Sequence, residues 1–292
     1  MIDYRLLSAL AAVIEQRGFE KAAQKLHLTQ SAISQRIRQL ENQMGQPVLQ
    51  RSTPPKPTDL GIRLNNHYQQ VRQLEAGLGL VNDRMPRDLV IRLTVNADSL
   101  ATWLAQALAA SHLRDEVTFD LVVEDQDVGL SRMRRGEVMA CLCAEGNPVN
   151  GGKSVFLGNF RYRALASPDF ISQYRLHEDL LQGLQQAPCL IFNNDDQLQH
   201  RFLQQAGLGA PARVHFCPSS EGFMQLAQAG LGYGMMPELQ ADSLIKKGLL
   251  CDIQPDYCLD VPLYWHYWQT ESPVMRRLRE GVIQTAKHFL RD

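Results

Sequence analysis

Residues 19–45 constrain the fold more tightly than any other stretch of this chain. Residues 19–26 form a short helical run whose adjacent Ala22 and Ala23 let another backbone pack closely. His27 and Leu28 make a turn, and Thr29 is a suitable N-cap for a helix from Gln30 to Met44. In that helix Ile33, Ile37, Leu40 and Met44 recur at intervals of four, three and four residues, a single inward stripe, and Gly45 ends it. Just upstream, Leu6, Leu7, Leu10, Val13 and Ile14 give an amphipathic first helix that stops at Gly18. None of the three helices can bury its apolar face alone, so they must share a core.

The outward face of the third helix carries Gln30, Ser31, Ser34, Gln35, Arg36 and Arg38, side chains able to hydrogen-bond base edges and phosphates in a major groove. A merely solvated helix face has a similar composition, so the surroundings decide. Residues 1–58 hold eight basic side chains against four acidic ones, whereas the rest of the chain holds 22 against 27. The small N-terminal part therefore suits a polyanion and the remainder does not. Residues 47–58 then combine an apolar entry, rigid prolines and two cations, Arg51 and Lys56, in the manner of a wing pressing on phosphate.

Residues 19–41 resemble the LysR-type helix-turn-helix nearly residue for residue, and that motif is highly specific. The resemblance implies an N-terminal all-α winged helix-turn-helix over residues 1–58 and a long linker helix with a hinge over 59–86. It also implies a C-terminal α/β effector-binding domain over 87–292, built like a periplasmic binding protein from two subdomains with the effector in the cleft between them. Subdomain I is expected at about 87–161 and 268–292, and subdomain II at about 162–267. In the family the third helix enters double-stranded DNA, which makes Gln30, Ser31, Ser34, Gln35 and Arg38 candidate contacts, with Gln35 and Arg38 foremost. Most LysR-type wings look like Arg-x-x-Arg ahead of Leu-Thr; here Pro54, Pro55 and Pro57 take over part of that stretch, which points to a particular branch.

From residue 59 onward Leu60, Leu64, Tyr68, Val71, Leu74, Leu78 and Val81 recur every three or four residues, a seam that a lone helix leaves exposed. Such a seam packs on a partner helix or on the chain's own C-terminal domain. The family supplies the partner from a second subunit, placing two winged modules on two half-sites. The resemblance thus implies a homodimer, with a dimer of dimers and contact with RNA polymerase as further expectations. Gly77, Gly79 and Pro86 mark the end of the helix and the hinge.

Beyond Arg87, β-like runs at 89–95, 117–123 and 138–144 alternate with helical stretches beginning at Ser99 and Val128. A second set follows at 162–166, 188–192, 212–217, 231–235 and 261–268, before a last helix from Pro273. In open α/β sheets ligands sit at the carboxyl ends of strands, where helix N-termini offer N–H groups to an anion. Ser99 follows the first strand and Ser219 and Ser220 a later one, so these serines are candidates for holding a carboxylate, or plain N-caps. Asp98, Glu124, Asp125, Asp195 and Glu221 at neighbouring strand ends favour a cationic tail, though each alone also reads as a surface charge. Residues 53–58, 95–104, 134–138, 219–221 and 263–266 are similar to a branch of the family that responds to L-arginine and L-lysine. That similarity spans nearly the whole chain and implies control of genes such as an arginine exporter.

Catalysis would need an activated nucleophile or a paired acid and base, and neither a Gly-x-Ser-x-Gly elbow nor a phosphate loop is present. No enzyme, cofactor or metal is expected. His266, on an aromatic strand, reads as a packed histidine or a ligand contact. The six cysteines include no pair at the two-residue spacing of zinc or redox motifs and read as buried thiols, Cys141 and Cys143 on an inner strand. No stretch approaches the ~20 apolar residues of a membrane span, and the N-terminus lacks the basic and apolar regions of a secretory signal. The expected place is therefore the cytoplasm, in association with the nucleoid, and not a membrane. Two other functions fit parts of the sequence: an effector-independent architectural protein that inhibits replication initiation by blocking strand opening, and a solute-binding protein with a fused helical domain.

Overall fold

The structure, a computed structural model, describes residues 3–50, 52–77, 89–124 and 126–292. Helix α1 (Tyr4–Gln16) begins where Asp3 Oδ1 accepts the Arg5 N–H at 2.9 Å. Its left-handed closing residue is Arg17, at φ +50°, whereas Gly18 is extended. Helices α2 (Phe19–Lys25) and α3 (Gln30–Met44) flank a turn in which His27 has φ +53°, and Thr29 Oγ1 accepts the Ala32 N–H at 3.1 Å to cap α3. Leu7, Leu10, Val13, Ala22, Ile33 and Leu40 are fully buried in one core, as the shared-face argument requires. The wing is a two-strand ladder of β1 (Leu49–Gln50) and β2 (Lys56–Pro57), tied to α3 by Glu41 Oε1, which accepts the Val48 N–H at 3.0 Å.

Helix α4 (Asp59–Gly77) starts directly under the wing. Leu64 is buried against the winged module, and Leu60 and Tyr68 pack on the same core. The first half of the expected seam is thus covered within the chain, because α4 lies along α1; Leu74 stays exposed, and Leu78, Val81, Gly79 and Pro86 lie outside the described residues. A Cβ at Gly61 would stand 2.0 Å from the Val48 carbonyl oxygen, a backbone atom that cannot yield without lifting the wing. Gly61→Ala is therefore expected to destabilise this module by about 1–3 kcal/mol, seen as a lower urea midpoint. An unchanged midpoint would show that the wing is not seated on α4.

The C-terminal part follows the chain order β3 (Leu89–Val95), α5 (Ala97–Ala101), α6 (Leu104–Ala110), β4 (Val117–Val123), α7 (Gln126–Arg134), β5 (Ala140–Cys143) and β6 (Gly152–Ala166). Then come α8 (Pro168–Gln173), α9 (Leu180–Gln186), β7 (Pro188–Ile191), α10 (Leu198–Gln205), β8 (Arg213–Phe216), α11 (Ser220–Gln228), β9 (Gly234–Pro237) and α12 (Glu238–Lys246). The chain ends with β10 (Cys251–Asp252), β11 (Leu259–Trp268) and α13 (Pro273–Phe289). The main sheet runs β10-β6-β11-β5-β3-β4, with β9 also on β6, and β7 pairs with β8 in parallel. Strand β3 is parallel to β4 and β5, while β11 runs antiparallel to both β5 and β6.

Two lobes result, one built on β3, β4 and β5, the other on β7, β8, β9 and β10. Strands β6 and β11 pass through both. Strand β6 starts ten residues before the run at 162–166, and β11 pairs with it along its whole length. Trp103 and Trp265 are fully buried in the core shared by the lobes. His266 is also fully buried, its Nε2 lying 2.6 Å from the Glu145 carbonyl oxygen, which makes it a packing histidine. Cys141, Cys143 and Cys189 are buried free thiols, but Cys258 is exposed and Cys217 and Cys251 are half-buried, since Cys217 and Cys258 lie in loops and Cys251 in the two-residue β10. Among the described residues no helix is long and apolar enough to cross a membrane.

Candidate functional site

Two regions carry side chains beyond what packing explains. The first is the outer side of α3, where Gln30, Ser31, Gln35 and Arg38 are exposed opposite the buried Ile33, Ile37 and Leu40. Ser34 is half-buried on the same helix, and Ser31 Oγ lies 2.9 Å from the capping Thr29 Oγ1. Arg36 departs from this set in being half-buried; the Arg5 hydrogen bonds, with the Arg36 charge as a lesser addition, hold the Asp3 carboxyl below its ordinary value. Lys56 is exposed on β2, on the wing beside α3. Arg51 lies outside the described residues.

The second region is a cleft of about 590 Å³ between the lobes. At its wall Asp98 projects from α5 and takes two hydroxyl hydrogen bonds: Tyr162 of β6 donates to Oδ2 at 2.7 Å and Ser220 of α11 donates to Oδ1 at 2.6 Å. The second bond crosses from one lobe to the other. Ser220 Oγ is also 2.9 Å from Gln240 Oε1 on α12, so a single hydroxyl proton sits between two acceptors. Among the described residues Asp98 has no ion-pair partner. Burial raises its pKa, the two hydroxyl bonds oppose the shift, and the Asp196 charge adds to it. Burial likewise raises Asp196, although its carboxylate accepts the Phe192 and Leu198 N–H groups, each at 3.0 Å. Glu124 and Asp195 line the same cleft, as does the exposed Arg201. Asn96 Oδ1, on the rim, is buried without a partner among the described residues.

Of the residues expected from the sequence, Asp98, Glu124, Asp195 and Ser220 meet at this cleft. Ser99 does not: it is fully buried behind α5, where its Oγ accepts the Trp103 Nε1–H at 3.2 Å. Ser219 serves as the N-cap of α11, accepting the Gly222 N–H at 3.1 Å, and Glu221, two residues further on, points to solvent. Both follow from helical geometry, since successive residues of a first turn face different sides. Asp125 lies outside the described residues. Tyr162, Asp196 and Gln240 escaped sequence reasoning. Asp196 had a weak signal, an Asn-Asn-Asp-Asp turn ahead of a helix, while Tyr162 and Gln240 had none.

The architecture matches known proteins over both parts. Residues 4–62 match the family model for the bacterial regulatory helix-turn-helix protein of the lysR family, and residues 87–287 match the LysR substrate binding domain. A relative named HTH-type transcriptional regulator ArgP, from Pseudomonas fluorescens strain Pf0-1, is 50% identical over 99% of each chain. Among solved structures, ArgP from Mycobacterium tuberculosis is 37% identical with a TM-score of 0.81, covering 100% of this chain and 99% of that one. Full-length LysG from Corynebacterium glutamicum, described with bound effector Arg, is 31% identical with a TM-score of 0.69 over 100% of both chains. With winged module, linker helix and two-lobed cleft all matched along its length, the chain belongs to the LysR family.

Proposed function

We propose that this chain is a DNA-binding transcription regulator that answers to a basic amino acid, L-arginine or L-lysine, held in the cleft between the lobes. The observation that carries the reading is the buried Asp98 carboxylate, with hydroxyl donors but no cation among the described residues, in a cleft that also gathers Glu124, Asp195 and Asp196. A buried anion without a counter-charge is costly, and a ligand ammonium or guanidinium removes that cost. Arginine in the related LysG and the name of the ArgP relatives support this class.

On this reading α3 enters the major groove with Gln35 and Arg38 at its outer face, and Lys56 presses on the backbone from the wing. The protein acts in the cytoplasm at the nucleoid, as a homodimer able to pair into a dimer of dimers and to contact RNA polymerase. It carries no catalytic step. The exposed Leu74, on the part of α4 beyond its own winged module, supports a partner helix there.

The test is anisotropy of labelled duplexes carrying candidate promoter sites, without amino acid, with L-lysine and with L-arginine, at two salt concentrations. Specific binding that either amino acid alters is expected. Specific binding indifferent to both would leave the regulator and discard this ligand class, and salt-sensitive binding without sequence preference would remove the regulator altogether.

A further inference from the structure

Glu124 lines the cleft, yet its carboxylate also begins a chain of polar contacts that leaves the cleft along α7. Arg132 of α7 donates from Nε to Glu124 Oε1 at 2.9 Å and from Nη1 to Glu137 Oε2 at 3.0 Å. Glu137 is only 2% exposed, and a carboxylate so deep depends on its cations, the second being Arg135. The same turn is tied by its backbone: the Glu137 N–H reaches the Arg132 carbonyl and the Gly136 N–H the Met133 carbonyl, both at 2.9 Å. Gly136 is left-handed, at φ +67°, and its carbonyl oxygen accepts Asn66 Nδ2 of the linker helix α4 at 2.8 Å. Asn66 is 4% exposed, so water does not readily replace that bond. Helix α7, nine residues long, thus spans about 13 Å from the cleft wall to the seat of α4.

We infer that Arg132 and Asn66 are positioning residues through which occupancy of the cleft reaches the linker helix and hence the winged module, an inference that rests on the cleft taking a basic amino acid. Without ligand, Arg132 is the cation that holds Glu124. A ligand cation beside Glu124 competes for that carboxylate and leaves the Arg132 fork to Glu137. The turn at residues 135–138 then settles differently and moves the Gly136 carbonyl on which Asn66 sits. Helix α4 transmits the shift because Leu60, Leu64 and Tyr68 anchor its other end in the winged-module core. An arginine fork is required at the midpoint, since one planar group bridges two carboxylates and a lysine ammonium does not do so in the same geometry.

The experiment uses the full-length protein, Asn66→Ala, Arg132→Lys and the double variant. Titration calorimetry reads binding of L-arginine and L-lysine. Anisotropy reads affinity for a duplex that the wild type has selected from a random pool, with and without saturating amino acid. Hydrogen exchange reads residues 62–70 and 135–138. In the wild type the amino acid is expected to change DNA affinity by roughly 5–150-fold, the usual span of a coupling between sites. Asn66→Ala is expected to bind the amino acid alone and the DNA alone within about threefold of wild type, and Arg132→Lys to bind the DNA alone within the same range and the amino acid no more weakly than wild type, while in both the coupled change falls below about twofold. The double variant is expected to be no worse than either single one, because both cut the same route. In Asn66→Ala, ligand-dependent exchange is expected to persist at 135–138 and to disappear at 62–70. Wild-type coupling in either single variant would overturn the inference, as would amino-acid binding to the wild type that changes neither DNA affinity nor exchange at the two segments. Failure of the wild type to bind either amino acid would overturn the effector reading itself, and the relay with it.

Discussion

Asp98→Asn is expected to weaken L-arginine binding by about 2–5 kcal/mol, roughly 30-fold or more, with the fold intact. The substitution keeps the shape of the side chain and an acceptor for Ser220 or Tyr162, but removes the buried charge that a ligand cation would meet. The pH dependence carries a second signature. Burial raises the Asp98 pKa above its ordinary 3.8, against the pull of the Ser220 and Tyr162 bonds. A folded-state value above the unfolded one means that this group's contribution to stability is complete below the ordinary value and is lost as pH rises through the raised one. Once ionised, Asp98 is therefore a cost that the ligand relieves. Affinity for L-arginine and its thermal stabilisation of the protein are expected to rise with pH from the ordinary carboxylate range upward. Most of that rise is expected to go in Asp98→Asn, Asp196 keeping the remainder because burial raises it as well. Calorimetry at several pH values decides the matter; a variant that binds within about twofold of wild type throughout would place the cation elsewhere.

Arg38→Ala is expected to lower affinity for a specific duplex by roughly 10–100-fold while the thermal midpoint stays where it was. Arg38 is exposed on α3 and the core beneath it is closed by Ile33, Ile37 and Leu40, so truncation costs the module little. The salt dependence separates its two modes of contact. If the guanidinium reads a base edge, discrimination between specific and random duplexes collapses and the salt slope barely changes. If it sits on a phosphate, both affinities fall together and the slope drops by about one. Unchanged affinity for both duplexes would remove α3 from the groove. Arg36→Ala, by contrast, is expected to have the smaller effect, because that side chain is half-buried whereas Arg38 is exposed.

The winged module was legible because everything that specifies it is local. The Thr29 cap, the Ile33, Ile37 and Leu40 stripe and the Gly45 stop all act within one helix, and the structure shows each of them in that role. The linker helix was legible as a helix but not in its packing. Its spacing announces a seam, yet only the folded chain reveals that Leu60, Leu64 and Tyr68 are spent on the chain's own α1 side, while Leu74 stays partly exposed beside Trp268 and Met275 of the C-terminal part. The crossing strands were half legible: β6 begins in a polar, glycine-containing stretch, and it is pairing with β11 that extends it to fifteen residues.

What the amino-acid sequence determined alone was the helices of the winged module, the charge division between its two parts and the outward face of α3, since helical periodicity and capping are decided over a few residues. What the tertiary structure decided was which polar groups meet. Asp98 and Tyr162 are 64 residues apart and Asp98 and Ser220 are 122 apart, and no spacing rule relates them. Neighbours were separated for the same reason: Asp98 faces the cleft while Ser99 turns to Trp103, and Ser220 faces it while Ser219 caps a helix and Glu221 meets water. A local pattern fixes which side of its own helix a residue occupies, but only the packing of that helix against distant strands decides whether that side is a core, a cleft or the solvent.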